Sequence, residues 1–408
     1  MTVTPTRATK LLYFIGVDWF FYSHFLDRAI AAKNAGYDVV VLTRPTGDDK
    51  EIAANGIRVI GIPFARRSIN PIRFFKNLRD VIRVLRTEQP DIIHQVALKP
   101  ILLGSIAARW VGVKRVINAV VGLGFAFSSS SLIAKVARLF LLLIFKRIFK
   151  SPDSRVVFEN EDDRQYFIRQ GWVSPAGAVL IRGAGVDIQR FSPRCREVNP
   201  PVIMLLSRML WDKGVGEFVA ASRILQASNG MRYARFILVG DPDEDNRGAI
   251  TLEQLQVWQQ DGFIEWWGYR EDVAGILQQA TIACLPSYRE GLPKSLLESI
   301  AMGLPCVATD VPGCREAVVH GVNGFLVPPR EPLALAHAIE RLLNTPDLLT
   351  QFGQASRKMA VEQFSSELIS GQTLELYRSL MPPTSSPSTS SASAAEKRGG
   401  DGQNLYQR

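Results

Sequence analysis

Cysteine is scarce, with four in 408 residues and no spacing that would hold a metal ion. That excludes a disulfide framework and a cysteine-built metal site, and it fits a reducing compartment such as the cytoplasm. Long apolar runs are missing too. The most hydrophobic region is interrupted by Lys135, Arg138, Lys146 and Arg147, so no stretch is long enough to span a membrane. A short apolar stretch at 11–17 runs into Asp18 and an aromatic cluster with no small-residue cleavage site, which predicts a first β-strand rather than a signal peptide. What is present is 47% apolar and 21% charged residues, the composition of a soluble chain with a substantial core. The length exceeds one ordinary domain, so two are expected.

Charge is unevenly placed. Residues 1–190 contain 28 Lys and Arg against 15 Asp and Glu, whereas the remainder contains 20 against 24. A first half this basic points to an anionic partner surface, either nucleic acid or an anionic membrane leaflet.

Both halves alternate short apolar runs with helical patterns, the signature of parallel α/β sheets. Strands are predicted at 11–17, 38–43, 58–62, 92–94, 116–119, 156–159 and 178–181, then at 202–206, 236–240, 264–266, 282–285, 306–309 and 324–327. Helices are predicted at 23–35 and 71–88, then at 214–228, 250–261, 272–279, 295–302 and 332–344. A polar segment at 194–199 followed by Pro200-Pro201 divides the chain into domains 1–197 and 198–381, with the last helix free to pack back on the first domain. Residues 382–408 are rich in Pro, Ser, Thr, Ala and Gly and read as a disordered tail.

Ligands of open parallel sheets bind beyond the carboxyl ends of the strands. Arg208 follows the strand 202–206, with Lys213 five residues later, and Gly240 ends the next strand. Tyr269 and Arg270 follow 264–266, and Glu290 follows 282–285. Arg208 and Lys213 have the chemistry of a diphosphate clamp, a forked guanidinium beside a point charge. Lys213-Gly214 also opens a helix, as an anion site requires; a capped helix start with solvated cations is the plainer alternative. Glu290 and Glu298 lie eight positions apart across Gly291-Leu292-Pro293. One would sit in a loop within reach of hexose hydroxyls and the other on a helix within reach of a ribose. Acidic pairs are common, so this spacing alone also fits a surface loop.

Several segments together resemble the retaining glycosyltransferases of family 4. They are Ser207-Arg208 with Lys213-Gly214, Gly268 with Arg270-Glu271-Asp272-Val273, Pro286 through Pro293 with Glu298, Val307 through Glu316, and Gly321 with Asn323-Gly324. The resemblance implies the GT-B fold, two Rossmann-like domains facing a central cleft, with a nucleotide-sugar donor on the second domain and no cofactor or metal. It implies that Arg208 and Lys213 hold the diphosphate, Glu290 the transferred sugar and Glu298 the ribose. Gly291 and Leu292 would offer backbone N–H groups, with Tyr269, Arg270 and Gly240 on the donor side. It also sets His94 against the donor sugar, although a structural histidine at a strand end fits the same residue. Family members commonly have a Gly-Gly loop near the N-terminus, and this chain has Gly16-Val17-Asp18-Trp19 leading to Ser23-His24 instead. Asp18 would then serve the acceptor, and His24 would either join it or simply cap or pack. Gly122 and Gly124 would form a cleft loop or a plain turn.

His94 through Pro100, including Lys99, with Gly122-Leu123-Gly124 and Phe158 through Asp163, resemble a narrower subgroup. Its members elongate polyprenyl-diphosphate-linked sugars in bacterial O-antigen, capsule and N-glycan precursor synthesis. The subgroup suggests a UDP-linked N-acetylhexosamine as donor, a lipid-linked sugar as acceptor and a location on the inner face of the cell membrane. On a helix over 131–150, Lys135, Arg138, Lys146 and Lys150 share one side, and Arg66, Arg67, Arg73, Lys76, Arg79, Arg83 and Arg86 form a second basic stretch. Either would suit an anionic membrane surface; a core helix with snorkelling cations is the alternative. Three rivals remain at this point: a soluble acceptor, a nucleotide-sugar epimerase or hydrolase, and a nucleic-acid-binding protein. The last would have no reason to keep Arg208, Lys213, Glu290 and Glu298 together, so no nucleic-acid partner is expected.

Overall fold

The computed structural model describes residues 7–64, 70–121, 144–193, 198–227, 234–243, 246 and 248–381. The first sheet comprises β1 (Lys10–Phe14), β2 (Asp38–Thr43), β3 (Arg58–Gly61), β4 (Ile92–Val96), β5 (Arg115–Val120), β6 (Ser154–Phe158) and β7 (Ala178–Leu180). Their order is β3-β2-β1-β4-β5-β6-β7, with every neighbouring pair parallel. The second sheet comprises β8 (Val202–Leu206), β9 (Arg235–Val239), β10 (Glu265–Trp266), β11 (Ile282–Leu285), β12 (Cys306–Thr309) and β13 (Gly324–Val327). Its order is β10-β9-β8-β11-β12-β13, again parallel throughout. Runs such as Ile92–Val96 and Cys306–Thr309 are buried along their whole length, because crossover helices cover both sheet faces.

Each sheet reverses its winding next to its first strand, between β1 and β4 and between β8 and β11. Such switch points open crevices at the carboxyl ends of the strands. In the second sheet the reversal brings the loop after β8 against the loop after β11. The Asp212 carbonyl accepts from Tyr288 N at 2.8 Å and from Ser287 Oγ at 3.0 Å. Gly214 completes the contact at φ 72°, and a Cβ there would stand 2.0 Å from the Pro286 carbonyl oxygen. Only glycine fits this turn.

After the second domain the chain returns to the first. Val186 N donates to Phe364 O and Ser366 N donates to Val186 O, at 2.8 and 2.9 Å. The helix Ser366–Ser379 then packs on the helix Asp18–Asn34 and buries Ile369, Leu376 and Tyr377 in the first domain's core.

Several element ends shift by one or two residues, and the largest differences fall at the start of the chain and over 131–150. Strand β1 stops at Phe14, and the following helix begins at Asp18, five residues before the periodicity suggests. The aromatic run 19–22 masks that helical start, while the Asp18 carboxylate suits a first turn. Of the expected helix over 131–150, only 144–150 falls within the described residues, so Lys135 and Arg138 lie outside them, as do Arg66, Arg67 and the tail 382–408. In the described part, Phe145 and Phe149 stack on each other and are buried against Phe167. Their apolar side faces the core rather than an interface. Lys146 is half-buried and Lys150 exposed.

Candidate active site

The loops beyond β8, β10 and β11 line two adjoining hollows of about 420 and 660 Å³, which share Trp19, His24, Tyr269, Val273, Lys294 and Glu298. Arg208, Lys213, Glu290, Gly291, Leu292 and Ser295 line the smaller one. Lys213 donates to Glu290 Oε1 at 2.5 Å, with both side chains largely buried. Arg208 is ion-paired with Asp243, and its guanidinium lies 6.0 Å from the Trp19 ring. Thus the two cations and the first glutamate converge. Each cation holds a carboxylate where an incoming diphosphate would compete for it.

Glu298 sits on the helix Lys294–Ala301, which starts at the smaller hollow without a side-chain cap on its first turn. Uncapped N–H groups at a helix start favour an anion. Burial pushes the Glu298 carboxyl up, opposed by nearby Lys294 and Arg190. Lys294 lies 3.5 Å from Glu298 Oε1 and donates across the cleft to Ser23 O at 2.7 Å.

The first domain supplies the facing wall. His24 stacks on Phe20 at 4.2 Å, and its Nδ1 lies 2.6 Å from Ser23 Oγ. Burial, with Lys294, Arg28 and Arg208 adding positive charge, pushes its imidazole down to about 3. His24 is therefore a neutral cleft residue at physiological pH. Trp19 and Glu159 line the same space and were not singled out from sequence. For Glu159, the usable signal is its place directly after β6, at a strand carboxyl end like the others. Beyond it, Asn160 Nδ2 donates to Gly291 O at 2.8 Å and Asp163 pairs with Arg289 at 3.1 Å, so both walls are tied together.

Other expected site residues lie elsewhere. His94 is 1% exposed and is absent from the lining of either hollow. It stacks on Tyr13 at 5.1 Å, and its Nδ1 lies 2.8 Å from the Tyr377 hydroxyl, which in turn meets the Tyr13 hydroxyl at 2.6 Å. Burial, then Arg28, pushes it down to about 3, so it is a neutral core histidine joining β4 to the last helix. Asp18 is fully buried, and its carboxylate accepts from the backbone N–H groups of Trp19, Thr46, Gly47 and Asp49 and from the Thr46 hydroxyl. Burial alone would raise it, but those hydrogen bonds hold it below the usual carboxylate range. Its lone pairs are committed to the loop 44–49 rather than to an acceptor.

Gly240 adopts φ 129°, and a Cβ there would lie 1.9 Å from Ser207 O. Its N–H and carbonyl are used by Gly268 and Trp266, so it shapes the loop crossing instead of touching a donor. Tyr269 lines both hollows, whereas Arg270 lines neither. Lys99 rests 5.0 Å from the Phe64 ring centre, also away from both. Gly122 and Gly124 lie outside the described residues. Among the described residues, no group of three or more His, Cys, Asp or Glu side chains is arranged to hold a metal ion.

Two family models match. Residues 10–156 match the glycosyl transferase 4-like model, and residues 200–345 match the model of glycosyl transferases group 1. The chain is 28% identical over 368 residues to the Campylobacter jejuni N,N'-diacetylbacillosaminyl-diphospho-undecaprenol alpha-1,3-N-acetylgalactosaminyltransferase, covering 87% of this chain and 94% of that one. It is 27% identical over 312 residues to an Escherichia coli UDP-Gal:alpha-D-GlcNAc-diphosphoundecaprenol alpha-1,3-galactosyltransferase, covering 72% and 77% respectively. Among solved structures, Anabaena Alr3699/HepE in complex with UDP and glucose superposes with a TM-score of 0.74 at 18% identity, over 91% of this chain and 100% of that one.

Proposed function

Because this chain belongs to the group 1, 4-like glycosyltransferases with the GT-B fold, we propose that it moves a hexosyl group from a UDP-sugar to a polyprenyl-diphosphate-linked sugar, with retention of configuration. The transferred group in this reading is an N-acetylhexosamine, and the pathway is assembly of a bacterial surface polysaccharide or glycan precursor. The observation behind it is the convergence of Arg208, Lys213, Glu290 and Glu298 with an uncapped helix start on one side of the cleft. The two curated relatives act, by their names, on diphospho-undecaprenol-linked sugars, which supports the acceptor class.

The chemistry follows from charge placement. The diphosphate displaces Glu290 from Lys213 and Asp243 from Arg208, and Glu290 is then free to accept from a hexose hydroxyl. Glu298, one turn into the helix Lys294–Ala301, accepts from the ribose. The bond between the anomeric carbon and the phosphate oxygen breaks with its electron pair remaining on that oxygen. The acceptor hydroxyl attacks from the same face, and its proton passes to the departing phosphate. Arg208 and Lys213 offset the developing negative charge, so the positive charge needed comes from side chains. Neither Glu290 nor Glu298 acts as a nucleophile here; both orient the donor.

The acceptor's lipid anchor calls for a membrane surface, and the helix Pro71–Glu88 suits one. Ile72 and Phe75 are 78% and 67% exposed on it, among exposed Arg73, Lys76, Arg79, Arg83 and Arg86. This helix follows β3, so its first turn lies at the cleft end of the sheet. Exposed apolar side chains ringed by cations fit a peripheral contact with an anionic inner leaflet. Among the described residues, no helix is long and apolar enough to cross a membrane.

The test is incubation with labelled nucleotide sugars, with and without an undecaprenyl-diphosphate sugar. Label transferred to lipid only when that acceptor is present is the expected result. Transfer to soluble sugars alone, or hydrolysis or epimerisation indifferent to acceptor, would replace this reading with one of those activities.

A further inference from the structure

One cleft carboxyl has no part in the reaction above. Glu159 follows β6 directly and lines the same hollow as Arg208, Lys213 and Glu290, but from the first domain's wall. Its position is held from both sides. The adjacent Asn160 caps the helix Glu161–Arg169 through Asp163 N at 2.8 Å and reaches Gly291 O across the cleft at 2.8 Å. Arg289 clasps Asp163 one turn further on. With its neighbours so tied and its own carboxyl accepting from the Leu292 N–H, Glu159 lines the hollow on the wall opposite Arg208, Lys213 and Glu290.

Resting on the transfer reading above, we propose that Glu159 is the acceptor-side positioning residue, whose carboxylate receives a hydroxyl of the lipid-linked sugar and aims it at the anomeric carbon beside Glu290. The carboxylate accepts a hydrogen bond and takes no net proton, since that proton leaves with the diphosphate. Burial pushes the Glu159 carboxyl up to about 7, resisted by Arg28 and assisted by Asp163 and Glu290, while the Leu292 N–H favours the ion. The charged groups around it are thus Arg28 on the helix Asp18–Asn34, Asp163 on its own following helix, and Glu290 with its partner Lys213 on the second domain. Acceptor use should therefore rise with pH through neutrality as the carboxylate forms.

The experiment compares wild type with Glu159→Gln and Glu159→Asp, reading UDP affinity by calorimetry and acceptor kcat/KM from pH 6 to 8.5. Glu159→Gln should bind UDP within about twofold of wild type, yet lose about tenfold to hundredfold in acceptor kcat/KM, the worth of one hydrogen bond to a charged group. It should also lose the rising limb near neutrality, and Glu159→Asp should restore part of the rate. An active wild type with an indifferent Glu159→Gln overturns this proposal alone, as does an equal loss of UDP affinity. A wild type that binds UDP but transfers to no lipid-diphosphate sugar overturns the transfer reading and this proposal with it.

Discussion

Replacing Lys213 by alanine separates binding from chemistry. Lys213 Nζ lies 2.5 Å from Glu290 Oε1, and the two side chains are 19% and 10% exposed. Truncation leaves Glu290 without that partner. Removing one member of a buried pair costs about 3–5 kcal/mol, and the residual exposure here brings the expected destabilisation to about 2 kcal/mol. Donor binding should suffer less than chemistry. A hydrogen bond from a charged donor contributes about 1.5–3 kcal/mol, but wild type must first give up the Glu290 contact, so the net loss should be near 1 kcal/mol, or under about tenfold in UDP Kd. In the transition state the ammonium meets charge that has only then developed, and loss of one such donor is worth about 10²–10³ in kcat. Single-turnover rates with saturating UDP-sugar, beside calorimetric UDP titrations, give both quantities. A Lys213→Ala enzyme with normal turnover, or one whose Kd rises as much as its rate falls, would refute leaving-group stabilisation by this residue.

Other consequences follow from the same geometry. Asp18→Asn places an amide donor against four backbone N–H groups and should lower stability by about 2–3 kcal/mol in urea melts; an unchanged melt with a selectively raised acceptor KM would return Asp18 to an acceptor role. Tyr377→Phe strands the Tyr13 hydroxyl and His94 Nδ1 in the core and should cost about 1–3 kcal/mol, seen as a lowered Tm. His94 has a folded value near 3 against about 6.5 unfolded, so the unfolded chain takes up its proton first as pH falls. Stability should drop by about 1.6 kcal/mol between pH 6.5 and 5 on that account, with His24 adding a similar slope, and His94→Asn should reduce the slope by about half in denaturant melts across that window. Ile72→Asp with Phe75→Asp should abolish co-sedimentation with anionic vesicles while leaving UDP affinity intact; retained binding would put the membrane contact elsewhere.

The second domain was the more legible half. The strands at 202–206, 282–285, 306–309 and 324–327 match the structure residue for residue, because each is a short apolar run bounded by turn-forming residues. Arg208, Lys213, Glu290 and Glu298 were legible as a set because all follow strand ends that one switch point gathers. His94 was not legible in the same way. Every residue of β4 is buried, so alternation cannot say which side chains face the cleft, and its partner Tyr377 lies 283 positions away. Asp18 shows a similar limit, since four of its five donors come from the loop 44–49, nearly thirty residues on, which no local pattern announces. Glu159 shows only its strand-end position in the sequence, because the cross-cleft contacts of its neighbours, Asn160 to Gly291 and Asp163 to Arg289, join segments of different domains.

The most direct measurement is the anomeric configuration of the linkage made from an α-linked UDP-sugar and an undecaprenyl-diphosphate sugar, read by proton NMR on the isolated glycan. An α-linked product formed only with the lipid-linked acceptor is the predicted result. A β-linked product, or free sugar in place of any product, would contradict same-face attack assisted by the departing diphosphate.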